Sequence, residues 1–284
     1  MNETDDHSHY YVPPPTSYPV IINLGLFILT LGFVLRLSAI TPGIVPMLAG
    51  IAVVLYGAFG WLGKIICENE SGDYHPWEDR SFRIGMAYFI FSEIAFFGSF
   101  LLALMYVRTF SMPELASMEP QFTLWPGFKG EWPSGGPKSQ AFTPLGAWGL
   151  PAVNSILMLA SSVSLMWARS GISTANRGQM ITGLAIAIAS GVAFLFQQAM
   201  EFRHAAEFGV TLASGVYGTN FYTLSAVHGA HMLVGIIMLA VLLLRAFHGH
   251  FKPESHVGLD IVAWYWNFAV VTPGLLVFVY FYWL

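Results

Sequence analysis

Apolar residues run along the chain in long blocks that polar residues interrupt only singly. Blocks of about 18 or more such residues predict helices that span a membrane. The predicted spans are seven in number, at residues 19–36, 42–66, 83–107, 148–168, 179–202, 221–247 and 261–284. Strands of a membrane barrel would alternate apolar and polar residues over about ten positions, and the run from Gly183 to Phe196 does not alternate in this way. The pattern therefore predicts an all-α, polytopic membrane protein with seven transmembrane helices.

The connections between the predicted spans indicate a hairpin and an orientation. Only residues 38–41 join the first two spans, which predicts a helical hairpin over residues 19–66. With the amino terminus in the cytoplasm, seven Lys and Arg residues fall in the inside loops and five outside, and three of those five belong to the long connection at 108–147. Because Lys and Arg concentrate on the cytoplasmic side, we expect the amino terminus inside and the carboxyl terminus outside.

Composition agrees with lipid as the solvent of most of the chain. Charged residues make up only 10% of it, whereas soluble domains carry about 25%. Twelve Lys and Arg against sixteen Asp and Glu leave a formal charge of −4, which excludes a basic face for nucleic acid. The one cysteine, Cys67, excludes an internal disulfide and a cysteine-based metal site. Residues 1–18 form an acidic amino-terminal tail without the basic start of a signal peptide.

Glu93 lies about ten residues into the third predicted span, so it should be some 15 Å deep in the bilayer. A charge at the centre of a membrane costs about 2.5–3.5 kcal/mol on the lenient insertion scales. We therefore expect Glu93 to be protonated or paired with another helix. Its residue type leaves two interpretations open: a neutral acid that joins two helices, and a role in proton movement or in a lipid or partner contact.

His228 and His231 lie three residues apart in the sixth predicted span, on one face of the helix. A haem held by two histidines needs ligands on facing sides, so hydrogen bonding between helices is the favoured interpretation and a metal or haem site is the alternative. His231 reaches nearly the depth of Glu93, counted from the opposite end of an oppositely directed helix. The two side chains are therefore expected to be able to pair.

Glu68 and Glu201 lie at span ends, where membrane meets water. Ordinary anchoring at the interface is the favoured interpretation, and contact with a lipid head group or a partner is the alternative.

The sequence contains no glycine-rich phosphate loop, nucleophile elbow or His/Cys redox set. The chain is thus not expected to bind an electron-carrying cofactor by itself.

Several motifs in a shared order over about 250 residues resemble subunit III of the haem-copper cytochrome c oxidases. They are Phe82–Phe97 around Glu93, Pro151–Ser155 with Ser161 and Ser162, Gln197–Phe202, Gly215–Phe221 followed by His228–His231, and Arg245, His250, His256–Gly258 and Trp264–Trp266. Each motif alone is modest, whereas their common order is specific.

This resemblance implies a hairpin over residues 19–66 beside a five-helix bundle over residues 83–284. It implies a core subunit without haem or copper of its own, those groups belonging to partner subunits I and II, and cytochrome c as electron donor to the complex. The complex would reduce dioxygen to water and pump protons across the cytoplasmic membrane of a bacterium. The subunit would stabilise the catalytic subunit, hold phospholipids in its helix cleft and support proton uptake and catalytic lifetime.

The resemblance also implies roles for particular residues. The intramembrane polar cluster would contain Glu93, His228, His231 and Asn267, and phospholipid would be bound by Glu68, Arg245, His250, Trp61 and Glu201. The last span departs from the family pattern, because Asn267 replaces a histidine and Val270 replaces an acid. A network in which that acid orients a histidine of the sixth span should be reduced here.

Two alternatives accompany this hypothesis. The quinol-oxidising enzymes of the same superfamily have a similar third subunit with fewer spans, so the first hairpin favours the cytochrome c type. An autonomous proton-coupled transporter would also place Glu93 and His231 at the midplane of the membrane. The absence of an inverted repeat with broken helices argues against a transporter.

Overall fold

The described part of the chain is helical in all its regular structure. The computed structural model describes residues 13–38, 41–72, 74, 76–117, 125–139, 142–143, 145–251 and 256–283. Its α-helices are α1 (Tyr18–Leu37), α2 (Ile44–Ser71), α3 (Pro76–Tyr106), α4 (Met112–Ser117), α5 (Leu150–Ser173), α6 (Arg177–Glu207), α7 (Gly215–His248), α8 (Val257–Trp264) and α9 (Thr272–Phe278). A 3-10 turn covers Thr41–Gly43, and π-helical segments cover Val107–Ser111, Tyr265–Val271 and Val279–Trp283. Most of the predicted tail, residues 1–12, and Leu284 lie outside these ranges.

Within the described residues, seven helical stretches are long and apolar enough to span a membrane. This confirms the predicted all-α class and the predicted number of spans. Several stretches extend beyond the predicted ends: the third covers Pro76–Ser117 and the seventh starts at Val257. The third begins earlier because Glu78 and Asp79 occupy its first turn, where acidic side chains are favoured by the helix dipole.

The chain divides into two compact units, the first unit at residues 1–81 and the second unit at residues 82–284. In the first unit, α1 and α2 pack antiparallel through glycines. The buried residues of the two helices are Gly25 and Gly32 in α1 and Gly50 and Gly57 in α2. A Cβ atom at Gly25 would lie 2.8 Å from the backbone nitrogen of Val54, so only glycine permits this approach. The predicted arrangement of hairpin and bundle stays a prediction.

In the second unit, Trp266 of the last helical stretch is the centre of the larger core. Its side chain is fully buried, and its indole Nε1 donates a hydrogen bond to Ser161 Oγ of α5 at 3.0 Å. Gly191 of α6 and Gly235 of α7 face the indole, and a Cβ at either position would lie within 3.0 Å of a ring atom. Two glycines and one serine thus let a single indole join four helices.

A second core lies where α6 and α7 meet the connection between α4 and α5. Tyr217 and Phe221 of α7 are fully buried there and pack against Phe281. From the connection, Trp132 and Phe142 both contact the ring of Tyr217. Two aromatic residues of the long connection therefore belong to this second core.

The last helical stretch is irregular in its middle. The π-helical segment Tyr265–Val271 separates α8 from α9, and Pro273 follows it. Proline has no N–H and cannot continue the backbone ladder. The hydroxyl of Thr272 donates to the carbonyl oxygen of Asn267 at 2.8 Å, and the carbonyl oxygen of Val270 contacts a histidine of α7.

Candidate functional site

Glu93 and His231 form a direct pair between α3 and α7. Glu93 Oε2 lies 2.9 Å from His231 Nε2, and the two side chains are 16% and 17% exposed. Glu93 is near the middle of the Pro76–Ser117 stretch, and His231 is at the centre of α7. The pairing that the depth estimate suggests is therefore present in the structure.

The second nitrogen of His231 determines what the pair can do chemically. His231 Nδ1 lies 2.8 Å from the carbonyl oxygen of Val227. Because a carbonyl only accepts, Nδ1 carries a hydrogen, and Nε2 is left to Glu93. One proton then occupies the 2.9 Å contact: either a neutral carboxyl donates to a neutral imidazole, or an imidazolium donates to a carboxylate. Both states keep the hydrogen bond, so the pair can hold a proton without moving its heavy atoms.

Aromatic rings enclose the Glu93–His231 pair. Tyr265 donates its hydroxyl hydrogen to the carbonyl oxygen of His231 at 3.0 Å, and its ring stacks on the imidazole. Phe97 packs edge-on against the same imidazole, and Phe89 stacks on Tyr265. Low polarity around the pair strengthens its hydrogen bond relative to one in water.

His228 makes a different contact from His231. It is buried, its Nε2 lies 2.8 Å from the carbonyl oxygen of Val270, and its ring packs edge-on against Phe194 of α6. Gly274 permits this position, because a Cβ there would lie 2.7 Å from His228 Nε2. Val270 has no acidic side chain that could orient a histidine of the sixth span. The backbone carbonyl of the same residue nevertheless contacts His228.

Asn267 is joined to α5 rather than to the Glu93–His231 pair. The hydroxyl of Ser162 donates to Asn267 Oδ1, and Asn267 Nδ2 donates to the carbonyl oxygen of Ala263 at 2.7 Å. The four residues predicted as one polar cluster therefore form three separate contacts in the described structure. Asn267 is the one member of this set in the last helical stretch, where it lies in the π-helical segment Tyr265–Val271.

Glu201 is buried inside the second unit, at 6% exposure. Its Oε2 accepts a hydrogen bond from Asn154 Nδ2 at 3.3 Å, and its Oε1 accepts one from the hydroxyl of Tyr282. In the described structure Glu201 is thus bound by protein groups, and its predicted role in lipid binding or as an interface anchor stays a prediction. The side chain turns inward because two protein donors satisfy its oxygens there.

Of the other residues predicted to bind phospholipid, Glu68, Arg245 and His250 lie near helix ends, and Trp61 lies further inside α2. In the first unit, Glu68 Oε2 accepts from the hydroxyl of Tyr74 at 2.7 Å, Lys64 Nζ lies 3.9 Å from Glu68 Oε1, and Trp61 is exposed. In the second unit, the guanidinium of Arg245 lies 5.1 Å from the ring centre of Phe251, and His250 is exposed. Their role in lipid binding stays a prediction.

Asp260 is a buried ionic centre that sequence reasoning missed. It is 1% exposed, although it lies in the first turn of α8. Arg83 Nη2 of α3 lies 2.6 Å from its Oδ2, and Arg169 Nε of α5 lies 2.6 Å from its Oδ1. His256 Nε2 is 3.7 Å from Oδ2. One carboxylate therefore joins three helices of the second unit at one end.

The described residues contain no group of three or more His, Cys, Asp or Glu side chains that could hold a metal ion. The nitrogens of His231 are both engaged, by Val227 and Glu93, and Nε2 of His228 is engaged by Val270. These three histidine nitrogens thus serve contacts within α7, to α3 and to the last helical stretch.

Comparison with known proteins covers almost the whole chain. The family model described as cytochrome c oxidase subunit III matches residues 7–284. A probable cytochrome c oxidase subunit 3 of Rickettsia felis is 32% identical over 275 residues, covering 95% of this chain and 94% of the relative. The cytochrome c oxidase subunit 3 proteins of Formosania lacustris and Oryctolagus cuniculus are 33% and 31% identical, each over 96% of both chains. The chain belongs to the family of cytochrome c oxidase subunit III.

Proposed function

We propose that this chain is a core subunit of a respiratory cytochrome c oxidase that reduces dioxygen to water and pumps protons, and that it contributes no redox centre. Haem and copper would lie in partner subunits I and II, and cytochrome c would supply electrons to the complex. Membership of the family supports the place in an oxidase, and the observation that carries the lack of a redox centre is the state of the two intramembrane histidines. Both nitrogens of His231 and Nε2 of His228 already serve hydrogen bonds to Glu93 and to backbone carbonyls.

In this role the chain would stabilise the catalytic subunit and support proton uptake over many turnovers. The Glu93–His231 pair supports the second part, because its single shared proton can sit on either partner at the same 2.9 Å separation. Intramembrane acids are functional candidates by default, since their cost must be offset by a benefit.

The chain would also bind phospholipids through the ends of its helices. Lys64 and Glu68 pair near the end of α2. The exposed Trp61 precedes them on the same helix, and tryptophan is suited to the head-group region. Arg245 and His250 provide cationic or hydrogen-bonding groups at the end of α7. We place the chain in a bacterial cytoplasmic membrane, with the amino terminus in the cytoplasm and the carboxyl terminus in the periplasm.

Purification of the native complex through a tag on this chain tests the proposal. We expect haem absorption, copper, subunits I and II and oxidation of reduced cytochrome c by the complex. After separation from the other subunits, the chain should show no Soret band and no bound copper. Stoichiometric haem or metal on the isolated chain, oxidation of quinol in place of cytochrome c, or a colourless protein with transport activity would each contradict it.

A further inference from the structure

A small polar cavity lies within the second unit, among α5, α6, α7 and the end of the last helical stretch. Its volume is about 30 Å³. None of the lining residues is Lys or Arg, and seven of them are polar: Asn154, Ser155, Gln198, Glu201, Ser225, His228 and Tyr282. The cavity therefore differs from the apolar cores around it in having several polar side chains in its lining.

Two of these polar groups already satisfy the carboxyl group of Glu201. Asn154 Nδ2 and the hydroxyl of Tyr282 donate to its two oxygens. The other end of the Asn154 amide is different: this residue is 4% exposed, and its Oδ1 accepts no hydrogen bond from any residue that the structure describes. A buried carbonyl oxygen without a donor is costly, so a donor in the cavity would stabilise it.

His228 and Ser225, each 2% exposed, add an acceptor and a donor to the lining. Because His228 Nε2 contacts the carbonyl oxygen of Val270, that nitrogen carries the hydrogen, and a neutral ring then presents Nδ1 as an acceptor. The hydroxyl of Ser225 and the amide of Gln198 supply donors. The lining therefore suits a ligand that can both donate and accept hydrogen bonds.

Water has this property and also the right size. A site needs roughly 10–15 Å³ for one water molecule, so a cavity of about 30 Å³ has room for one or two. An anion is disfavoured, because it would lie beside the carboxyl group of Glu201 and no Lys or Arg lines the cavity to compensate its charge. An acyl chain would leave Asn154 Oδ1 unpaired.

We propose that this cavity is a binding site for one or two ordered water molecules, which donate to Asn154 Oδ1 and link the Glu201 group to the imidazole of His228. The site is separate from the Glu93–His231 pair and does not depend on the proposed roles in lipid binding or proton uptake. It gives this chain a hydrated carboxyl group inside the membrane-spanning part, besides the Glu93 carboxyl group that His231 contacts.

Cryo-electron microscopy of the assembled complex, at a resolution that shows ordered water, tests the proposal. We expect a density peak about 2.7–3.2 Å from Asn154 Oδ1. In Asn154→Leu this peak should be lost. The matched control is Asn220→Leu, which removes an amide that donates to the carbonyl oxygen of Val216 outside the cavity, and the peak should remain there.

Infrared difference spectra between samples in ordinary water and in ¹⁸O-labelled water give a second readout. A water O–H band that shifts with the isotope should be present in the parent and in Asn220→Leu and lost in Asn154→Leu. A cavity without density in the parent, rod-shaped density of an acyl chain, or a peak with several oxygen neighbours at about 2.3–2.6 Å, as for a cation, would overturn the proposal. If Asn154→Leu fails to assemble, the map and the spectrum of the parent decide by themselves.

Discussion

Arg83 and Asp260 are 177 positions apart in the sequence, and their side chains meet at 2.6 Å. Arg169 reaches the other oxygen of the same carboxylate. Three helices of the second unit are therefore held together by one buried negative charge and two arginines. Removing one partner of a buried ion pair is typically more damaging than replacing all of it, because a buried charge is left without compensation.

This geometry predicts strong coupling between the two arginines. Arg83→Met or Arg169→Met alone leaves Asp260 one arginine, whereas the double substitution leaves it, among the described residues, only His256 at 3.7 Å. We expect the double variant to lose about 3–5 kcal/mol of stability, more than the sum of the single variants, measured from thermal unfolding of the purified complex. Adding Asp260→Asn should restore part of the loss. Additive effects without restoration would show that Asp260 does not depend on these arginines.

Glu93→Gln should abolish labelling by a hydrophobic carbodiimide, which enters the membrane and reacts with carboxyl groups there in their protonated form. Glutamine can still donate a hydrogen bond to His231 Nε2, so assembly should be preserved. The complex should still reduce dioxygen, with at most a partial change in proton uptake or in operating lifetime. Glu207→Gln, an exposed position at the end of α6, is the control that should keep the labelling. Complete loss of oxidase activity in an assembled Glu93→Gln complex would place this residue closer to the chemistry than proposed.

Arg245→Ala should weaken phospholipid retention. A cationic side chain near a membrane surface contributes about 1 kcal/mol to lipid attraction. We expect less phospholipid to co-purify and activity to fall faster during turnover, with a nearly normal initial rate. Arg245→Lys retains the charge and should behave much like the parent. Unchanged lipid content and lifetime in Arg245→Ala would remove Arg245 from the lipid site.

Gly25→Leu should disturb the packing of α1 against α2. A side chain there meets the backbone of Val54, and such overpacking typically costs about 1–3 kcal/mol. Gly63→Leu is the matched control, because a Cβ at Gly63 has no neighbouring atom within 4 Å among the described residues. We expect a lower midpoint of thermal inactivation for Gly25→Leu only. Equal midpoints for the two variants would contradict the close contact.

The spans could be predicted from the sequence because lipid imposes one strong rule, a long apolar stretch for each helix. The ion pairs at the ends of these helices could not be predicted in this way. Asp260 lies one residue before the predicted start of the last span at 261, so it reads as a loop residue. A usable signal exists nonetheless: the predicted orientation puts Arg83, Arg169 and Asp260 on the same side of the membrane.

The inward position of Glu201 also has a sequence signal. Phe194, Gln198, Glu201 and Ala205 are buried and recur at intervals of three or four residues, which marks one face of α6. If this periodicity is overlooked, the nearby Arg203 and His204 suggest instead that Glu201 lies at the water interface. In contrast, the bond from His228 to the backbone of Val270 has no side-chain signature at all, because any residue type at position 270 supplies a carbonyl.

The glycine contacts of the first unit bear on the order in which the chain is made. Pairing of α1 with α2 needs no residue beyond Ser71, since every buried position of the two helices faces the other helix of the pair. In a bilayer, helices form first and then associate through close packing of this kind. Once Ser71 has entered the bilayer, the chain therefore contains every buried residue that this pairing uses, and the pairing does not have to wait for the later spans.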